Sequence, residues 1–396
     1  MKFLAIAVCI LLTVAGCKQR TEDPLRPKIL SGGESFCVEI FNEKEQFDLG
    51  PLPFSGFIDS VRFIKLETHA ECLIRTVSKI FFHKEEIIIV DNEKGEIYFF
   101  DGNGKYNRKI SGKGRGPGEY TAITVCLFNA ERETFTIYDI YQAKIVVLDI
   151  SGKYIKEIRP FSEGAVIRDM VQLCNGNYLC YAYDQADKEG SRYAGLWETD
   201  SLGKFVKTHF TYEVKLPVLF STFFSNFFRL PDGAICLKDQ IHSDVYRFDK
   251  DVERWITYIN KESKLKSRQG MDLPAGKNMK CYTFQAKGSY LFAMWSNGNG
   301  TPFFAVSLLE DPAKVSYAGM LDFQDMLLPA LATNMPVDNN SPDVLVFSLN
   351  PFVFTGYIEK PEVYGNTRKA LKKLVEGMDE ESVSQMNPVL ELLYVK

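Results

Sequence analysis

The chain has 396 residues and a formal net charge of −4, from 47 Lys and Arg against 51 Asp and Glu. Its 45% hydrophobic and 25% charged content is that of an ordinary globular protein and excludes a disordered or collagen-like chain, while the charge balance leaves no bulk basic surface for nucleic acid. With 30 Phe and 19 Tyr the composition favours strands, and 4 His leave little for metal or acid–base chemistry.

Met1-Lys2 supplies a short positive start, and Phe3 to Val14 is almost wholly apolar. A run of that length is too short to span a bilayer comfortably and fits a secretory leader. Val14-Ala15-Gly16-Cys17 closes it with small residues before a cysteine. This run resembles the bacterial lipobox, which implies cleavage before Cys17 and acylation of its thiol. The alternative is an ordinary signal peptide cut elsewhere, or a buried N-terminal strand. Several acyl chains on one residue would hold the protein firmly, since a single chain binds membranes only marginally. Residues 18–28 are polar and carry Pro24 and Pro27, as a tether would. The expected organisation is a signal peptide over 1–16, a lipidated Cys17 with its tether over 17–35, and one folded domain over 36–396.

Cys37, Cys72, Cys126, Cys174, Cys180, Cys236 and Cys281 follow, an odd number at scattered spacing with no Cys-x-x-Cys pair. That argues against a disulfide framework and against a zinc site, so most are expected to be free thiols. No later stretch approaches the ~18 apolar residues of a membrane span.

An internal repeat then dominates the sequence. Ile87-Ile88-Ile89-Val90-Asp91 precedes Ile97-Tyr98-Phe99-Phe100-Asp101 and Gly102-Asn103-Gly104-Lys105. The pattern returns as Phe135 to Asp139 with Ile145 to Asp149 and Gly152-Lys153. It returns again as Tyr181 to Asp184 with Leu196 to Asp200 and Gly203-Lys204, and then as Ile235 to Asp239 with Val245 to Asp249. The second aspartates are spaced by 48, 51 and 49 residues, a period that signifies propeller blades. The apolar runs are read as inner and middle strands, and Asp-x-x-Gly-Lys as a tight hairpin leading into a more polar outer strand. Tyr290 to Trp295 with Phe303 to Ser307 gives a fifth copy, and Val344 to Phe347 with Phe352 to Phe354 begins a sixth. Val61 to Leu66 is expected to lend that last blade a strand, which closes the ring and removes exposed sheet edges. The fold class expected is therefore all-β, a six-bladed β-propeller with blades at roughly 73–110, 120–159, 166–210, 222–260, 278–320 and a closing blade from 338–358, five or seven blades being the alternatives. Asn366 to Met378 places Ala370, Leu371, Leu374, Val375 and Met378 on one helical face, capped by Asn366 or Thr367. This helix is expected to brace one end of the ring, with Lys369, Lys372 and Lys373 solvated. Val389 to Val395 reads as a final strand.

The spacing of Asp91 to Asp101, Asp139 to Asp149 and Asp239 to Asp249 is similar to the NHL repeat of β-propellers, although the usual Asn and Arg positions hold other residues here. A closer resemblance, carried by the lipobox, Phe63 to Thr68, Gly112 to Tyr120 and Asn387 to Leu392, is to six-bladed β-propeller lipoproteins of Gram-negative gut bacteria. That family implies architecture and an envelope location, with an outer-membrane anchor whose face stays open, and no settled activity.

Candidate site residues are few. Asp91, Asp139, Asp184 and Asp239 would recur at equivalent points near the central opening, where carboxylates could gather Ca²⁺ or another hard cation. The competing reading, favoured by the recurrence, is that each caps its own turn; the fifth and sixth copies carry Ser296-Asn297 and Ser348 with Asn350 instead. The hairpin aspartates 101, 149, 200 and 249 are turn formers. His242, in a rim loop after Asp239, is the one histidine that stands out. The run 112–120 is no phosphate loop, lacking Gly-x-x-x-x-Gly-Lys-Ser/Thr and a following helix; Arg115 and Glu119 are its only candidate contacts. Two asymmetric loops, Gln185 to Tyr193 and Asn260 to Met279, are places where a rigid scaffold carries function. No Gly-x-Ser-x-Gly elbow or paired histidine motif is present, so the reading leans away from an enzyme. The expected function is an envelope lipoprotein that binds or scaffolds a protein, peptide or glycan and requires no cofactor. A lactonase-like propeller hydrolase with a channel cation and a purely structural envelope component are the alternatives.

Overall fold

In the computed structural model the described residues are 36–39, 51–159, 166–183, 192–214, 225–239, 244–249, 254–262, 280–296, 302–318, 320–323, 326–329, 336–351 and 365–396. They form an all-β, propeller-like body of small antiparallel sheets with two short helices. One sheet runs Lys79–His83, Glu86–Asp91, Glu96–Asp101, Tyr106–Ser111, each strand paired with the next in sequence. The same meander recurs from Val125–Asn129, from Val166–Gln172, from Phe227–Arg229 and from Lys280–Lys287. The meander starting at Phe227–Arg229 gains a parallel strand, Phe36–Glu39, on the outside of Arg254–Glu262. A separate three-stranded sheet joins Pro51–Pro53, Met320–Phe323 and Met326–Pro329.

The remaining meander is built from both chain ends. Pro336–Asn339 pairs with Val344–Leu349, which pairs with Val389–Val395, which pairs with Ile58–Lys65. A short parallel contact, Asp338 opposite Lys79 and Asn339 opposite Ile80, joins this meander to the one that begins at Lys79, so the two are continuous as an eight-stranded, curled sheet.

The continuous apolar runs are explained by what lies on each face. Ile88, Val90, Ile97 and Phe99 pack with Cys126, Phe135, Ile137, Val146 and Leu148 of the following sheet. The alternate residues Ile87, Ile89, Tyr98 and Phe100 pack with Val344, Val346, Leu390 and Leu392 of the preceding one. A strand buried on both faces reads as unbroken hydrophobicity rather than alternation, and each such side chain contributes roughly 1.5–3 kcal/mol by leaving water.

The hairpin device is the same in three copies. Asp101 Oδ1 accepts from the N–H groups of Asn103 and Lys105, Asp149 Oδ1 from Ser151 and Lys153, and Asp200 Oδ1 from Leu202 and Lys204. Gly104 shows why the glycine is needed: its φ is +87°, and a Cβ there would lie 2.3 Å from the Lys65 carbonyl oxygen. Through that contact, the Glu67 N–H to Gly104 O bond of 2.7 Å and the Arg62 guanidinium on Gly102 O, the hairpin locks onto Ile58–Lys65 and the residues just after it.

Two expectations are corrected. The runs ending in Asp91, Asp139 and Asp239 are second strands, because a separate first strand such as Lys79–His83 precedes each. That strand was hidden by its polar residues. The C-terminal helix spans Gly365–Leu374, so Asn366 and Thr367 lie in its first turn instead of capping it. A second helix, Glu380–Gln385, follows with Asp379 as its N-cap. Leu371, Leu374, Val375, Met378, Val383 and Met386 pack on Ile58, Leu345, Phe347, Val389 and Leu393. The Lys65 ammonium donates to the Leu374 carbonyl at 3.0 Å, a cation on a helix C-terminus. The helices brace the closing sheet, and Lys369, Lys372 and Lys373 face solvent.

Candidate functional site

The first strands of the meanders surround one central cavity. Phe81, Leu127, Phe128, Met170, Phe227, Phe228, Gln285, Lys287 and Asp338 all line it, and its volume is about 750 Å³. The hairpins that leave these strands, at Asn129 to Arg132, Leu173 to Gly176, Leu230 to Gly233 and Asn339 to Pro342, form its mouth. This volume lies within the roughly 300–1,000 Å³ of small-ligand pockets.

A polar layer floors the cavity. The Lys79 ammonium meets the Asp338 carboxylate at 2.8 Å across the parallel pair. Burial works against the Lys79 charge, but Asp338, helped by Asp169, outweighs it and holds Lys79 above the usual lysine range. Asp169 sits at a register shift in Val166–Gln172. Its Oδ2 accepts from Ser225 Oγ at 2.9 Å and from the N–H groups of Asn226 and Phe227. Burial pushes the Asp169 carboxyl up despite these donors and Lys79. Gln285 donates to the carbonyls of Pro336 and Val337, and Lys287 donates to Asn339 O, Asn339 Oδ1 and Ser341 O. Each of these contacts ties the first strand of one meander to the first strand of another or to a residue next to it. Lys79, Ser225 and Asp338 also line a cavity of only about 50 Å³, with Ser78, Asn92 and Arg168. The layer therefore divides the channel, leaving a deep cup on the hairpin side.

The sequence-derived candidates lie elsewhere. Asp91 is fully buried at the end of a second strand and accepts from Arg75 N–H at 2.7 Å and Lys94 N–H at 3.0 Å. Asp139, also fully buried, accepts from Thr121 N–H and Oγ1, Tyr141 N–H, and Gln142 N–H and Nε2. Burial alone would raise the Asp139 carboxyl, but the donors from Thr121, Gln142 and Tyr141 win and hold it below the usual range. These carboxylates tie a turn to the segment that enters the same sheet. Asp239 is buried and accepts from Tyr181 OH at 3.2 Å. Asp184 and His242 lie outside the described residues, as does most of both asymmetric loops. In the glycine-rich run, Glu119 Oε2 accepts from Gly116 N–H at 2.7 Å, Tyr120 is buried against Gly112, and Arg115 is exposed. Among the described residues no three or more His, Cys, Asp or Glu stand as a metal-holding group. Cys72, Cys126, Cys174, Cys180 and Cys236 are free thiols, and of these Cys174 is exposed and lines the cup.

Sequence reasoning missed Lys79, Asp169, Asp338 and Lys287. The available signal was a charged residue inside each short run preceding an apolar repeat, as in Ser78-Lys79-Ile80-Phe81, Arg168-Asp169-Met170 and Val337-Asp338-Asn339.

Residues 38–394 match the family described as domain of unknown function DUF4934, and the chain belongs to that family. No curated protein matches the sequence. Among solved structures, the chain is similar to a protein of Bacteroides fragilis NCTC 9343 described as exported (BF0058), with a TM-score of 0.66 at 16% identity over 91% of this chain and 99% of that one. A DUF4221 family member from Bacteroides vulgatus ATCC 8482 gives 0.47 at 12% identity, covering 86% and 97%. Virginiamycin B lyase from Staphylococcus aureus gives 0.42 at 8%, covering 84% and 99%. At such identities the first of these shows a shared fold, and the other two carry no argument. Among the described residues no helix is long and apolar enough to cross a membrane.

Proposed function

We propose that the chain is a binding protein of the cell envelope, lipidated at Cys17, whose propeller of six blades takes its ligand in the central cup. The six-blade count rests on the meanders that begin at Lys79, Val125, Val166, Phe227, Lys280 and Pro336, the last completed by strands from both chain ends. The envelope location rests on Val14 to Cys17 and on the likeness to a protein described as exported. The observation that carries the binding role is the cup itself: about 750 Å³, apolar on its walls and closed below by an ion layer. A blind cup suits the end of a protein, peptide or glycan chain better than a strand threaded through. The hydrolase alternative asks for carboxylates free to hold a cation, whereas Asp91 and Asp139 have theirs occupied by N–H donors.

The test is ligand capture. Protein purified from its own envelope, or incubated with envelope extract, is examined by native mass spectrometry beside a Leu127→Trp variant, which fills the cup from its wall. Species held by the parent and lost from the variant are expected. Retention of the same species by both proteins would remove the cup as the binding site.

A further inference from the structure

The cup has a charge pattern that its own fold leaves unbalanced. Two of its acids are neutralised in place: Asp338 pairs with Lys79, and Asp232, beside the mouth, pairs with Arg247 at 2.6 Å. Glu133, on the hairpin of Arg132, is taken up by Lys84 and His83. The cations show the opposite pattern. Arg229 donates from Nη1 to Gly233 O at 3.3 Å and from Nη2 to Gln172 O at 2.9 Å, and meets no carboxylate among the described residues. A guanidinium has five N–H groups, so the two carbonyls orient it and leave the rest for a ligand. The side chain of Arg132 makes no ion pair or hydrogen bond among the described residues, and it lines the same cup. Lys287 spends its three hydrogens on carbonyl and amide oxygens and contributes field rather than contact. Against these three cations the described lining residues set one unpaired acid, Glu131.

The walls next to these cations are aromatic. Phe81 and Phe128 lie with ring centroids 5.6 Å apart, and Phe227 and Phe228 also line the cup. Partial desolvation lowers the Arg229 pKa although the side chain still reaches solvent, and a bound anion would supply the counter-charge that the described residues do not.

Building on the reading of the cup as a binding site, we infer that the group it takes is a carboxylate on an apolar, ring-sized body, its anion on Arg229 and Arg132 and its body among Phe81, Phe128 and Phe228. A free hydrophobic acid and a peptide ending in an apolar residue share this chemistry.

Titration calorimetry on the full chain, purified in detergent, tests this with three probes of one shape: 4-phenylbutyrate, 4-phenylbutanamide and 4-phenylbutylamine. The acid is expected to bind at least about tenfold more tightly than the amide, the difference that one charge-assisted hydrogen bond provides, and the amine least of all. Arg229→Ala and Arg132→Ala should each erase most of that preference, whereas Arg75→Ala, which removes an ion pair with Glu93, should leave it intact. Arg132 is exposed and its side chain makes no hydrogen bond or ion pair among the described residues, so its variant keeps the test valid if Arg229→Ala fails to fold. Acetyl-Leu-Phe and its C-terminal amide form the second arm: a peptide acid far tighter than phenylbutyrate assigns the site to chain ends, and equal affinities assign it to free acids. Equal binding of acid, amide and amine overturns the anion inference and leaves the cup a binding site. If no probe binds and Leu127→Trp also changes nothing in ligand capture, both readings fall.

Discussion

Asp139 shows how one side chain does the work of a whole loop. Its two oxygens accept from Thr121, Tyr141 and Gln142, so a single carboxylate holds the turn after its strand and the segment that leads into the same sheet. Replacing it by Ala would strand several buried donors, and each costs about 1–3 kcal/mol when left without a partner. Asp139→Ala is expected to lower stability by about 3 kcal/mol in urea unfolding, and Asp139→Asn by less, while ligand capture by the folded protein stays unchanged. Loss of binding in a fully folded Asp139→Asn protein would place this carboxylate in the site after all. Recurrence made the aspartates conspicuous in the sequence for a structural reason, since a turn device repeats with the blade. The residues of the polar layer do not repeat: Lys79 and Asp169 sit on the first strands of two meanders, and Gln285 and Lys287 share that of a third. A search for repeats therefore passes over them.

Element by element, legibility followed burial. The second and third strands are buried on both sides, so Ile87 to Val90 and Ile97 to Phe100 announced themselves as apolar runs. The first strands have one side on the cup, and their mixed composition concealed them. The closing strand Val389–Val395 was readable by its length and apolarity, yet it contains Glu391, which is buried, with Oε1 unpartnered among the described residues. Burial pushes that carboxyl up to about 8 from its ordinary 4.5. Between those two values the folded protein keeps a proton that the unfolded chain has lost, so stability falls as pH rises through the window and the full cost stands above it. Glu391→Gln should therefore be more stable than the parent at pH 9, by on the order of 3 kcal/mol, and nearly equal to it at pH 4. Urea midpoints at the two pH values check this, and a difference that does not vary with pH would contradict it.

At the scale of the molecule, the two chain ends meet in one sheet, where Val389–Val395 lies between Val344–Leu349 and Ile58–Lys65. Such pairing completes the last meander and sets the first strands near enough for Asp169, Lys79, Gln285 and Lys287 to bond between them. Rigidity at the floor and apolar walls above it are what a preformed pocket needs, and they come from the same inter-strand bonds that close the ring. The sequence period pointed to the ring, but the cup depends on which side chains of short, mixed strands turn inward, and periodicity does not encode that. The most direct test is a crystal structure of residues 18–396 grown with 4-phenylbutyrate. The account predicts ligand density between Phe81, Phe128 and Arg229, above an intact Lys79–Asp338 pair. An empty cup with the ligand on the outer strands, or a channel left open through the polar layer, would contradict it.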